Sequence, residues 1–486
     1  MPDQSFTSLR QVSLYDRLLI YAATLALLLL ALIFYKERII FSDTAGYTVH
    51  IISRNTFEIS MHSRFVGVLS QLLPLLAYRC HASLDTIILL YSLNSILVPL
   101  ACILVSLHWF RETRTAWSIL LFYTLMNTWL FYYPVSELQL GLCLFLFYHG
   151  AFTHFSARNG LHRLPFLLLS LVLIPTIIFC HPLGFPIFVS WLVLRYAIDN
   201  TSWKSLVFPA GAATLSWLIK RWFFTIWYES DKTSQGLEHF SGDTFSRISS
   251  GLGGQFLDML LKDAFLLPLV LLAVLSILVY RRQYLGAAGF VLVLSGWWLL
   301  VSISFHDGTY DHYYEHMYQA IPFFVALYGA LLLPAVLKPP VTRVVLLLVF
   351  ALSVVKICNG RKFHEERFAW FERCFGLMDE MQCKKAAFTT GSIPGGGACP
   401  SFWSVPYETL LLSTLKGKAA GKSFYITGNI EDARSAVNVI HDIDTMQNFP
   451  LTPPEYFDIS GYRYCVPQDH YSPEQIQKIM YGKTGN

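Results

Sequence analysis

Long stretches free of Asp, Glu, Lys and Arg alternate with short polar connections over the first 358 residues. They lie near 18–35, 86–110, 115–136, 138–157, 205–219, 264–280, 283–305 and 317–337, with a shorter one near 343–358. One helix needs roughly 17–25 residues to cross a bilayer. The run 164–194 is longer, with 31 residues and no charge, and its middle reads His181-Pro182-Leu183-Gly184-Phe185-Pro186. Such a helix breaker, with Arg163 and Arg195 at the two ends, predicts two short helices meeting at a turn around His181. The count is then eleven spans. The apolar piece 65–78 is only 14 residues long and is expected to lie on the outer surface.

Basic flanks orient this pattern. With the N-terminus in the cytoplasm, the inner connections carry Arg111 and Arg114, Arg158 and Arg163, Arg195 and Lys204, Arg281 and Arg282, and Lys338 and Arg343, as the positive-inside rule requires. The outer side receives 36–85, the turns at Glu137 and His181, the loops 220–263 and 306–316, and everything after Asn359. Apart from Arg343 and Lys356 at the ends of the last one, the spans hold no charged residue. Together with the lack of an internal repeat, this argues against the alternative of a transporter or flippase, which needs intramembrane polar groups.

Composition agrees. The chain has 486 residues, 54% hydrophobic and 14% charged, and a mean hydropathy of +0.46, far from the about 25% charge of a soluble protein. The first apolar run has no small-residue cleavage site after it and is expected to stay as a helix. The net charge of +4 is dispersed, so no nucleic-acid partner is expected. Of nine cysteines, Cys374, Cys383, Cys399 and Cys465 fall in the polar segment 359–486 and suggest disulfides in an oxidising compartment, with three pairings open.

Candidate chemistry gathers on the outer side. Asp43, Tyr47, His50 and Arg54 recur at i, i+4, i+7 and i+11, while Ala45, Val49 and Ile52 form an apolar face, which predicts an amphipathic surface helix. Lys36, Arg38 and Arg64 flank it, and Lys220-Arg221 ends the seventh span; these cations suit a lipid-linked phosphate or anionic headgroups. The loop 306–316 brings His306, Asp307, Tyr310, Asp311, His312, Glu315 and His316, residue types that line sugar clefts. His312 and His316 have the i, i+4 spacing of a metal pair, but no HExxH accompanies them, so a divalent metal is the lesser alternative and no cofactor is expected. Glu137 and His181 are the isolated polar groups of their turns and are further substrate-facing candidates.

One span followed at once by an outward acid and surface helices, then many spans and an outer C-terminal domain, resembles the GT-C superfamily of membrane glycosyltransferases. The resemblance rests on Ser42-Asp43-Thr44-Ala45-Gly46-Tyr47, similar to the family's acidic motif in the first outer loop. Many members carry paired acids there; here Asp43 stands alone, with Glu58 next, which argues against a metal-dependent variant. The bacterial enzymes that modify O-antigen or lipid A are the most similar in arrangement. The resemblance implies an inverting hexosyltransferase with a polyprenyl-phosphate sugar donor and a glycan or lipid acceptor. It implies Asp43 as general base and Arg38, Arg64, Lys220 and Arg221 as candidates for the departing phosphate. It also implies a bacterial inner-membrane location with the C-terminal domain in the periplasm. A polymerase or ligase of lipid-linked saccharide is a further alternative, disfavoured by the few arginines of loop 220–263.

The expected fold is therefore an all-α polytopic membrane protein of about eleven spans at 1–358, with outer helices at about 41–80. A C-terminal α+β domain at 359–486 follows. In it, 361–380 reads as a helix, 423–427 as a strand and Gly395-Gly396-Gly397 as a turn lacking a phosphate-loop lysine. Trp403, Tyr407 and Tyr456 are either core or an acceptor platform.

Overall fold

A computed structural model describes residues 13–58, 64–156, 163–225, 252–304, 315–390, 402–429, 431, 434, 453–458 and 464–481. Helix α1 (Leu14–Ile33) starts on Ser13, whose Oγ accepts the Asp16 N–H at 3.1 Å. The short α2 (Tyr35–Ile39) leads into α3 (Ser42–Arg54), which stops at Asn55 in the left-handed conformation, φ 51°. Next come α4 (Gly67–Arg79) and the α5 helix (Leu84–Val105) against which it packs. The amphipathic element at 43–54 and the short helix of the 65–78 segment are both present.

The middle of the bundle is α6 (Thr113–Phe122), α7 (Glu137–Ser156), and α8 (Arg163–Cys180) paired with α9 (Gly184–Ala197). The break expected at His181 is there, closed by the Gly184 N–H on the His181 carbonyl at 2.9 Å. Then follow α10 (Trp203–Phe223), α11 (Leu252–Lys262), α12 (Leu266–Tyr280), α13 (Tyr284–Ser304) and α14 (Ala320–Val336). Helices α6, α7 and α14 pack together at the centre and are buried almost throughout. Leucines of α1, α8 and α13, such as Leu25, Leu168 and Leu292, point outward instead, as a hydrocarbon environment requires.

Five helices among the described residues are long and apolar enough to cross a membrane, or six if the pair bent by 92° at 263–265 forms one span. The eleven expected from apolar runs are thus not all helices of that length. The clearest departure is 115–136, which is α-helical only to Phe122, with a single 3-10 turn at Leu130–Tyr132. Beyond it the backbone turns irregularly, and Glu315 takes the N–H groups of Thr128, Trp129 and Leu130 at 2.9, 2.9 and 2.6 Å, so a remote carboxylate replaces the helical ladder.

The last apolar run and the charged stretch after it form one helix, α15 (Pro339–Glu380), 42 residues long and unbroken at Asn359. Gly360 lets the helix pass close to the irregular stretch, since a Cβ there would lie 3.2 Å from both the Thr128 side chain and its carbonyl oxygen. The C-terminal strands β1 (Lys385–Thr389), β2 (Ser423–Thr427) and β3 (Tyr464–Cys465) form a parallel sheet of order β2-β1-β3, with α16 (Val405–Thr414) packed on β2 and α17 (Pro473–Tyr481) on α15. The strand at 423–427 falls where expected. A Cys383–Cys465 disulfide ties the start of β1 to β3, and Cys374 is buried. Cys399 and Gly395-Gly396-Gly397 lie outside the described residues.

The C-terminal unit shares its core with the outer helices. Ala45, Val49 and Ile52 of α3, Leu75 of α4 and Ile87 of α5 pack in one cluster with Trp370, Leu411 and Phe424. The apolar face of α3 is covered by protein rather than resting on lipid.

Candidate functional site

Asp43 occupies the first turn of α3 and keeps a partly exposed edge. Its carboxylate accepts a hydrogen bond from the Tyr133 hydroxyl, which the irregular stretch before α7 delivers. Burial pushes the acid up, to about 6; the Tyr133 hydroxyl draws it down, and the nearby Glu137 charge raises it. A carboxylate so placed is ionised above pH 6 and still basic enough to take a proton.

Around this acid the connections assigned to the outer side converge. Arg64 Nη1 meets Glu137 Oε2 at 3.2 Å, with both side chains largely buried. Tyr47 lies one turn beyond Asp43, and its hydroxyl reaches the other Glu137 oxygen at 3.5 Å. Glu137 opens α7, where its charge also faces the positive end of the helix. Ser136 shares a 3.0 Å hydrogen bond with His316 Nδ1 and accepts from Gln319 Nε2 at 3.3 Å. The His316 ring packs edge-on against His181, with centroids 5.9 Å apart. Burial pulls His316 down, to about 4, so it is a neutral imidazole at physiological pH. Asp43, Tyr47, Arg64, Glu137, His181 and His316 therefore form one polar patch drawn from five separate parts of the chain.

Other candidates are placed differently. His50 is buried, shares a 2.7 Å hydrogen bond with Glu58 and packs edge-on against Tyr407; Glu58 is itself clamped by Gln71 through its backbone. That arrangement locks α3 to α4. Glu315 is turned to the backbone of 128–130, as described above. Arg38 is buried in a separate cleft that Asp43 and Glu137 do not line. Lys220 is buried near the end of α10, and Arg221 is exposed. Phe65, next to Arg64, packs on Phe224 and Phe179, which brings the ends of α10 and α8 to the patch. His306, Asp307, Tyr310, Asp311 and His312 lie outside the described residues. Among the described residues no group of three His, Cys, Asp or Glu side chains is arranged to hold a metal.

Sequence reasoning did not single out Tyr133 as the partner of Asp43, nor the C-terminal residues that fix its helix. Glu408 and Arg367, both fully buried, form an ion pair at 2.6 Å, and the same carboxylate receives the Ser42 N–H at 2.8 Å and the Ser404 hydroxyl at 2.6 Å. No local pattern announces contacts across more than 300 residues. Tyr407 and Tyr456 are core residues, whereas Trp403 is 46% exposed and stands over α3, its ring 3.7 Å from where a Gly46 Cβ would be. Comparison with protein-family models, with curated proteins and with solved structures finds no match for this chain.

Proposed function

We propose that this membrane protein is an inverting glycosyltransferase of the GT-C kind, moving a hexose from a polyprenyl-phosphate donor to a surface glycan or lipid acceptor. One observation carries the reading: a half-buried aspartate whose carboxyl is pushed up to about 6, hydrogen-bonded to Tyr133 and set beside Arg64 at one end of an apolar helical bundle.

In this reaction the acceptor hydroxyl oxygen attacks the anomeric carbon, Asp43 takes the hydroxyl proton, and the bond to phosphate breaks with its electron pair on the leaving oxygen. Tyr133 keeps Asp43 ionised and oriented until the proton arrives. Arg64 acts on the base electrostatically and meets the charge growing on the phosphate, with Glu137 holding it in place. Lys220 is the second basic group offered from the α10 side. Trp403, exposed over α3, offers a flat face for an acceptor sugar.

The site belongs on the periplasmic side of a bacterial inner membrane in this proposal. The basic connections of the opposite face support it, as does the Cys383–Cys465 disulfide, which suits an oxidising compartment. The test compares glycan and lipid A masses in cells making wild type or Asp43→Asn at equal membrane levels. The added hexose should vanish with Asp43→Asn; its persistence defeats the proposal.

A further inference from the structure

Arg38 follows the first span, and its side chain is only 2% exposed. It gives one 2.5 Å hydrogen bond, from Nη2 to Ser95 Oγ, and stacks on Phe131 with 4.1 Å between guanidinium carbon and ring centroid. Among the described residues no carboxylate pairs with it: Glu37 bonds Arg361 instead. Nε and Nη1 of Arg38 find no acceptor among the described residues, and neither does Nε2 of Gln139. All three belong to residues lining one narrow cleft, to which Asn94, Ser95 and Ser136 also contribute. A buried cation with unused donors is costly unless an anion completes it.

The cleft does not end in polar surface. At Ile96 and Tyr123 it adjoins a second, apolar groove, lined by Leu27 of α1, Pro99, Leu100 and Ile103 of α5, and Leu120 of α6. From Ile96 to Ile103 it follows about 10 Å of α5. A donor-rich head beside an apolar trough, among helices that face hydrocarbon, has the polarity of a lipid phosphate.

We propose that Arg38 and Gln139 bind the phosphate of an anionic lipid whose tail lies in the α1–α5–α6 groove, at a site separate from the Asp43 patch. The two sites back onto one segment: Phe131, Pro134, Ser136 and Gln139 face the lipid, while Tyr133 and Glu137 face Asp43 and Arg64. The inference does not rest on the sugar-transfer reading.

The experiment uses the full chain purified in a maltoside detergent, with dodecyl phosphate, dodecanol and inorganic phosphate as probes, read by melting temperature and by the mass of the probe-bound protein. Dodecyl phosphate should bind and raise the melting temperature, dodecanol should not, and inorganic phosphate should bind at least tenfold more weakly. Arg38→Gln should weaken dodecyl phosphate by roughly tenfold or more. Gln139→Leu, which leaves the guanidinium in place, should weaken it by a smaller factor and serves if Arg38→Gln does not fold. Leu100→Trp should obstruct dodecyl phosphate without affecting inorganic phosphate, and Asp43→Asn should bind as wild type does. Equal binding of dodecanol, or undiminished binding by both head variants, overturns the anion site. Inorganic phosphate binding as tightly as dodecyl phosphate, with Leu100→Trp silent, overturns the lipid tail and leaves a free-phosphate site.

Discussion

The backbone N–H of Ser42 donates to Oε1 of Glu408 at 2.8 Å across 366 residues of sequence. Ser42 sits at φ 48°, a conformation that serine seldom adopts. It is held there by a carboxylate which also receives Arg367 and Ser404. Asp43 is the next residue, so the C-terminal unit fixes the backbone from which the proposed base projects.

Glu408→Ala should therefore lower stability by about 3–5 kcal/mol, because it strands the fully buried Arg367. Glu408→Gln keeps an oxygen for Ser42 and should fold better, yet lose transfer rate at unchanged donor KM. Melting curves and a kcat and KM pair measure the two effects. A rate per folded molecule equal to wild type would make the contact structural only.

Transfer should fall as pH drops through about 6, since Asp43 must be ionised to accept a proton and its carboxyl is held there. The Tyr133 hydroxyl favours the ionised form, so Tyr133→Phe should move the acid limb of kcat/KM upward. A pH–rate profile of both proteins checks the sign. For stability the direction is opposite: a raised carboxyl favours folding most below its unfolded value of 3.8, and that contribution is lost as pH rises through about 6.

Arg64→Gln should cost roughly 10²-fold in kcat/KM, the scale of removing one charge-stabilising donor. Glu137→Gln leaves the cation present but loosens it, so its loss should be smaller. The double variant should cost less than the two single losses together, because the pair is in contact at 3.2 Å. Single-turnover rates with excess enzyme give all four values.

Cys383→Ser should destabilise the C-terminal unit by about 2–4 kcal/mol, because the bridge closes a separation of 82 residues. Dithiothreitol should lower the melting temperature of wild type by more than that of Cys383→Ser.

Legibility followed locality. The limits of α3, the broken hairpin at His181 and the strand at 423–427 were readable, since each depends on residues within a few positions of it. The stretch after Phe122 was not, because its backbone is satisfied by Glu315, some 185 residues on. The boundary placed at 359 falls inside α15, which runs unbroken to Glu380 past Gly360 and its close approach to Thr128. Within the site, Asp43, Glu137 and Arg64 were visible as isolated charges beside apolar runs. Tyr133 was hidden in an aromatic-rich stretch, and Glu408 in a segment whose role only its tertiary contacts reveal.

Helix α15 has a mechanical consequence. At 42 residues it is about 63 Å long, roughly twice the thickness of a hydrocarbon core. It enters the bundle at Pro339 and ends beside the sheet as a single stiff rod. The C-terminal unit is therefore mounted on a mast, not hung from a tether. Arg367 lies on this helix, so its ion pair with Glu408, which also holds the Ser42 N–H, joins the mast directly to the backbone that carries Asp43.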